Sequence, residues 1–375
     1  MKRIIYLATL SVFIFVGITS AQPTDIIYAG TNSLRGSKGI YVFSFDRQQQ
    51  KFTEIQTFAG GESPNFIALA PDKKHLYVAY SKGTLQDGKG SVMSFTINPK
   101  SGMLTKLNEQ SSEGVGPAHV SVDPKGRFVY ISNYGAGNLA VYPIAKDGSL
   151  GKASDIVQHY GKSIVASRQE GPHVHSTVPS ADGRFIYVSD LGIDKIMIYE
   201  VGDSGKLLPA STPFVSSTAG SGPRHLTIHP NGKFAYSAEE LTSTVASYKI
   251  DKSNGKLEPL ERLAMLPDDF TSRSFAADIH FTPDGKFLYA SNRGHESLVI
   301  FKVNRKNGKL KFVGHENTGG KHPRNFMIDK NGKFILTANR DTDNIVVFSL
   351  DRKTGKLVPT GEQIMVPAVI VLQQL

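Results

Sequence analysis

A unit of about 50 residues recurs along the chain, and a fixed period of that length restricts the architecture to stacked or circular repeats before any local prediction is made. The unit reads Gly-Pro, a short apolar stretch, a Pro-x-Gly-Lys turn, Phe-x-Tyr-Val-Ser-Asn, a second apolar stretch and a Gly-Lys-Leu turn. It occurs as GPAHVSVDPKGRFVYISNYG at 116–135, GPHVHSTVPSADGRFIYVSDLG at 171–192 and GPRHLTIHPNGKFAYSAEEL at 222–241. It returns as ADIHFTPDGKFLYASNRG at 277–294 and HPRNFMIDKNGKFILTANRD at 322–341, with a looser copy, SPNFIALAPDKKHLYVAYSKG, at 63–83. Inside each copy apolar residues alternate with period two and are punctuated by Asp-Gly or Asn-Gly turns, the pattern of short antiparallel strands. Each copy therefore makes four strands, A to D, and the leading prolines Pro64, Pro117, Pro172 and Pro223 are spaced as propeller blades require.

The two ends complete the count. Residues 25–58 contain only three strand candidates, IIYAGTN, GIYVFSFD and KFTEIQTF, which correspond to strands B, C and D. VPAVIVL at 366–372 corresponds to strand A. Pairing this tail with the N-terminal strands closes the ring and leaves no free sheet edge. The predicted fold is all-β: a seven-bladed β-propeller of four-stranded antiparallel blades, closed by the C-terminal strand joining the N-terminal blade, with residues 22–375 as one domain. Two stacked β-domains are the alternative, but no linker interrupts the period.

Composition removes several functional classes. The absence of Cys excludes disulfides, Cys-ligated zinc or iron–sulfur, a cysteine nucleophile and a lipoprotein anchor. The absence of Trp argues against repeats built on a Trp-Asp dipeptide. The net charge of +10 invites a nucleic-acid reading, but many of the lysines, among them Lys125, Lys233, Lys286 and Lys333, sit in the repeated turns. A stripe of basic and stacking aromatic residues is not evident, so no nucleic-acid partner is expected. Lys2 and Arg3 precede an uncharged run from Ile4 to Ile18 and the small residues Thr19, Ser20 and Ala21. That is the form of a secretory signal peptide, residues 1–21, with an uncleaved short anchor as the alternative. The expectation is a periplasmic or secreted protein without stable membrane insertion.

Propeller topology sends the start of every strand A and the end of every strand B to one face. His119, His173, His175, Arg224, His225, Asp278, His280 and Arg324 occupy the first set, and Asn133, Asp190, Glu239, Glu240, Asn292, Arg293, Asn339 and Arg340 the second. Convergence of titratable groups from distant segments is what a site needs, although Asn and Asp at strand ends also cap turns.

The GPxH, PDGKFLYASNRG and NGKL motifs, with the closing C-terminal strand, resemble the seven-bladed propeller lactonase family, which includes bacterial 6-phosphogluconolactonase and fungal carboxy-cis,cis-muconate cyclase. The resemblance covers residues 25–372. It implies a cluster of one His, two Arg and one Glu at the channel mouth, matched here by His175 in GPHVHS, Arg224 in GPRH, Glu240 in AEEL and Arg293 in SNRG as catalytic residues. His173, His225, Asp190, His280, Arg324 and Arg340 are the expected substrate-binding residues. Lactone hydrolysis needs an activated water, positive charge at the developing oxyanion and a proton for the alkoxide. Glu240 or His175 can serve as base or acid, and the arginines can clamp a phosphate or carboxylate. The expected substrate is a small anionic lactone, with no cofactor and no metal, handled by a monomer.

Two other readings stand beside this one: a calcium-dependent hydrolase using Glu240, Asn292, Asn133 and Asp190 as hard oxygen ligands, and a non-catalytic binding or scaffold propeller. Gly202-Asp203-Ser204-Gly205 looks like the surroundings of a serine nucleophile, but it falls in register with the turns at 253–255 and 353–355. No Gly-x-Ser-x-Gly elbow, phosphate-binding Gly-Lys-Ser/Thr loop or His-Glu-x-x-His helix occurs.

Overall fold

The computed structural model describes residues 24–85 and 87–375; the predicted signal peptide lies outside them. Seven four-stranded antiparallel sheets form, and there is no helix among the described residues. Blades 2 to 7 each consist of four consecutive strands, with inner strands Glu62–Leu69, Pro117–Val122, Val174–Pro179, Pro223–Ile228, Phe275–Phe281 and Pro323–Ile328. In blade 1 the order is Val369–Gln374, Thr24–Thr31, Ile40–Asp46, Lys51–Phe58, so the last strand of the chain is the innermost. Gln374 lies opposite Ile27 and Val369 opposite Thr31. Each inner strand adjoins the next and the last returns to the first, which closes the ring predicted from the repeat.

No single core exists. Because strand residues alternate between two faces, each sheet gives one apolar layer to each neighbour, and seven layers result. Ile27, Phe43 and Phe45 of blade 1 pack on Leu336 and Val347 of blade 7, whereas Tyr28 and Val42 pack on Leu76 and Val78 of blade 2. Corresponding layers lie between the other five pairs of neighbouring blades.

The repeated Phe-x-Tyr and Gly-Lys-Leu elements explain how blades register with one another. In four blades the strand-B tyrosine donates its hydroxyl to the glycine carbonyl in the C–D turn of the next blade: Tyr28 to Gly102 (2.9 Å), Tyr77 to Gly148 (3.0 Å), Tyr236 to Gly308 (2.6 Å) and Tyr289 to Gly355 (2.5 Å). The glycine is required for two reasons. At Gly308 the φ of +76 suits glycine, and an added Cβ would stand 2.5 Å from the Phe234 ring of the preceding blade.

Gly308→Ala should therefore cost both a left-handed conformation and overpacking, about 2–4 kcal/mol together. Gly36, at φ +78 with open space around it, supplies the comparison. Gly36→Ala should lose only the conformational share, about 1 kcal/mol. Thermal midpoints of the two variants measure the difference; equal shifts would show that the turn glycine is not a packing key.

Candidate active site

Every inner strand slips out of register with strand B at the same place, close to where it enters the channel. A bulge leaves a residue unpaired, bends the strand and re-aims the side chain. The residues released in this way are Asn65, Ala118, His175, Arg224, Ala277 with Asp278, Arg324 and Ile370. Four of them, Asn65, Ala118, His175 and Arg324, line a cavity of about 240 Å³ at the channel mouth together with Tyr134, Arg168, Glu240 and Arg293. That volume lies below the ~300 Å³ at which drug-sized ligand pockets begin, so the cavity suits a small molecule.

Glu240 is the electrostatic centre. Its Oε2 lies 3.0 Å from Arg224 Nε and 2.8 Å from Arg293 Nη2, and its Oε1 accepts from Arg168 Nη2 at 2.5 Å. Burial opposes the charge on this carboxyl, but the guanidiniums of Arg293, Arg224 and Arg168 outweigh it and hold Glu240 well below the usual carboxylate range. Arg224 is 2 % exposed and also donates Nη1 to Ala277 O at 2.7 Å, while Arg293 donates Nη2 to Ala276 O at 2.7 Å. Arg324 differs: among the described residues it makes no hydrogen bond and no ion pair. Burial and the neighbouring Arg293 push it down to about 10, which leaves it a cation at neutral pH. Four guanidiniums thus face one carboxylate.

His175 lies beside this cluster, 4 % exposed, and its buried Nδ1 has no partner among the described residues. Burial, then the charge of Arg224, lowers it well below the usual imidazole range, so it is a neutral base at pH 7. Tyr134 stacks on His173 (centroids 4.4 Å) and meets His175 edge-on at 5.5 Å. Deeper in the channel the His225 Nδ1 is 2.8 Å from Asp278 Oδ1, and the His225 ring lies 5.1 Å from that of His175.

The predicted cluster of His175, Arg224, Glu240 and Arg293 is therefore brought together, with Arg324 alongside. The other expected binding residues are distributed differently. His173 sits at the rim against Tyr134. His225 is buried below the mouth. Asp190 accepts from His173 N (2.7 Å) and Gly192 N (3.0 Å) and contacts His159 Nδ1 (2.7 Å), so it anchors a connection and does not line the cavity. His280 lines a second cavity at the opposite end of the channel, away from the mouth, because it is the penultimate residue of its inner strand. Arg340 pairs with Asp341 at 2.7 Å outside the cavity. The ligand set of the calcium reading is dispersed: Asn133 and Asn292 donate to the carbonyls of Ser112 and Met265, and Glu240 is held by the arginines.

Four of the cavity residues, Asn65, Ala118, Tyr134 and Arg168, were not anticipated. Arg168 comes from residues 159–173, the longest of the connections between blades; the others span 59–61, 112–116, 217–222, 265–274, 318–322 and 366–368. A long structureless connection in a tight repeat is itself a functional signal. Gln169 secures it by donating Nε2 to Leu191 O at 2.8 Å, and Asp194 holds Ser163 of the same segment at 2.5 Å. Tyr134 follows the Asn that ends strand B, the position occupied by Glu240 and Arg293 in their own copies. In those three copies the terminal Asn133, Glu239 and Asn292 are fully buried, and the next residue reaches the mouth.

The channel imidazoles set a pH dependence for stability. Burial, then Arg224, pushes His225 down to about 4, and burial likewise depresses His175 and His119. These groups bind protons in the unfolded chain near pH 6.5 but not in the folded one, so their stabilisation is complete above about 6.5 and is lost as pH falls towards 4. His280, raised by Asp278 against the opposing effect of burial, acts in the opposite sense. Melting temperature should fall between pH 6.5 and 5; a flat profile there would contradict buried neutral imidazoles.

Residues 26–373 match the family described as lactonase, 7-bladed beta-propeller. Among curated proteins, a 6-phosphogluconolactonase of Bacillus subtilis is 37% identical over 80% of this chain and 84% of its own length. One of Formosa agariphila is 36% identical over 78% and 82%. Among solved structures, a periplasmic gluconolactonase of Pseudomonas aeruginosa superposes with a TM-score of 0.88 at 31% identity, covering 94% of this chain and 99% of that one. Repeat and ring agree with these likenesses, and the chain belongs to the seven-bladed β-propeller lactonase family.

Proposed function

We propose that this protein hydrolyses the cyclic ester of a small anionic sugar acid, a 6-phosphogluconolactonase-like reaction, at the channel mouth. One observation carries the reading: a guanidinium that is unpaired among the described residues, Arg324, and a neutral imidazole, His175, line the same small cavity. Arg324, with Arg293, binds the phosphate or carboxylate of the substrate bidentately. His175 accepts a proton from the attacking water and returns one to the departing alkoxide. The guanidinium cluster stabilises the oxyanion. Glu240, saturated by three arginines, is a weak base and acts by holding them in place. General acid–base catalysis supplies about 10²–10⁴-fold and oxyanion stabilisation about 10²–10³-fold, enough for an already labile ester.

The proposed steps call only on side chains of this chain and on no metal ion. A periplasmic or secreted location is supported by the basic and apolar residues 1–21 and by the periplasmic solved relative.

Assays on phosphorylated, carboxylated and neutral sugar lactones test the reading. His175→Gln should lower kcat about 10²-fold or more with little change in KM. Arg324→Ala should raise KM about 10- to 100-fold for anionic lactones only, the loss of one charge-assisted contact. EDTA should leave the rate unchanged. Chelator-sensitive turnover would instead favour a calcium-dependent enzyme, and ligand binding without turnover a binding propeller.

A further inference from the structure

The mouth cavity and the cavity at the opposite end of the channel, about 290 Å³, share no lining residue. Between them lies a septum of packed rings: Phe66 on His119 (4.2 Å), His119 against His225 (5.6 Å) and His225 against His175 (5.1 Å). Beside the septum stands Asp278, 2 % exposed. Its Oδ1 is 2.8 Å from His225 Nδ1 and accepts from Ile279 N at 3.0 Å; its Oδ2 is 2.7 Å from His280 Nε2 and accepts from Asn325 Nδ2. The far end is open, because the His280 side chain is 38 % exposed and lines the opposite cavity. At the near end two buried imidazole nitrogens, His175 Nδ1 and His225 Nε2, lack partners. The rings meet edge to face with centroids 5.1 Å apart, and rotation of either ring would turn the two nitrogens towards each other.

We propose that His175, His225, Asp278 and His280 form a proton relay through the septum, which discharges the proton of each turnover at the face opposite the substrate. The proposal rests on the hydrolytic reading above. In that reaction the water oxygen bonds to the acyl carbon and the ring C–O bond breaks. One water proton ends on the new hydroxyl; the other stays with the carboxylic acid and is released when it ionises at neutral pH. Leaving by the mouth takes it past Arg168, Arg224, Arg293 and Arg324, with only Glu240 to offset them, and past the product. Leaving by the channel takes it towards a carboxylate. The product acid gives this proton to His175, which is neutral again once it has protonated the alkoxide; His175 passes a proton to His225 Nε2 as His225 Nδ1 gives its own to Asp278 Oδ1. Asp278 Oδ2 then passes a proton to His280 Nε2, and His280 Nδ1 releases one to solvent.

The charges around each member suit the direction. His175 faces Arg224, Arg293 and Arg324 as well as Tyr134 and His225; His225 faces Arg224, His119 and Asp278; His280 faces Asp278 and, across the channel, the Phe326 ring at 5.0 Å. The cationic surroundings thus weaken along the path.

His280→Ala tests the relay far from the substrate. In weakly buffered solution kcat should fall at least about tenfold with KM within twofold, and millimolar imidazole, which fits the vacated end, should restore it. Asp278→Asn should lose as much but regain nothing with imidazole. Wild-type rates in His280→Ala, or a loss that imidazole does not repair in a folded variant, would discard the relay. If Asp278→Asn fails to fold, His280→Ala still decides. If wild-type protein hydrolyses no lactone, the hydrolytic reading falls and takes the relay with it; an active wild type beside an unaffected His280→Ala removes the relay alone.

Discussion

The slip in register at the head of each inner strand is the constraint on which the site depends. A strand that paired perfectly would present alternate residues to the neighbouring blades, and none of its large polar side chains could turn into the mouth without breaking an apolar layer. One released residue per strand, two in blade 6, removes that conflict. It lets a blade keep Leu226 in the layer between blades while Arg224 faces Glu240. Because the same irregularity recurs around the ring, four of the released residues, Asn65, Ala118, His175 and Arg324, converge on one cavity.

Such convergence has an electrostatic cost that the surroundings must offset. Four buried or half-buried guanidiniums repel one another, and only Glu240 lies among them. Backbone carbonyls of Ala276 and Ala277, freed at the bulge in blade 6, accept from Arg293 and Arg224 and spread the load. The excess positive charge that remains is the property an anionic ligand would satisfy, and it is held in place before any ligand arrives. A regular ladder would engage the Ala277 carbonyl, so the bulge both re-aims the strand and leaves an acceptor for a cation.

The architecture was legible because period and punctuation are local. Six copies, a missing strand at one end and a spare strand at the other led to seven blades and their closure. The closing strand itself runs to Gln374, slightly beyond the apolar stretch that announced it, because Gln374 still pairs with Ile27 and accepts from Lys330 N. The site was legible in part. His175, Arg224, Glu240 and Arg293 converge as their motifs implied, but depth along the channel was not visible. His225, Asp278 and His280 lie at successive depths, and a position near the start of a repeat does not say whether a side chain ends at the rim, in the septum or at the far face. Arg168 escaped notice because it belongs to no copy of the repeat, and Asp190 misled because a carboxylate at a strand end serves equally well as an anchor for His173 N and Gly192 N.

The seam in blade 1 gives the ring a mechanical weak axis. Its two strands are antiparallel, with Ile27 opposite Gln374, so the start of Thr24–Thr31 and the end of Val369–Gln374 lie at the same end of the pair. Tension applied between those ends loads the seam hydrogen bonds one after another, as in a zipper, and not all together in shear. The bond from Leu372 N to Asn325 Oδ1 ties the seam to blade 7, and Asn325 in turn holds Asp278. A pull strong enough to peel back the last strand would therefore disturb the channel histidines before it loosened any complete blade.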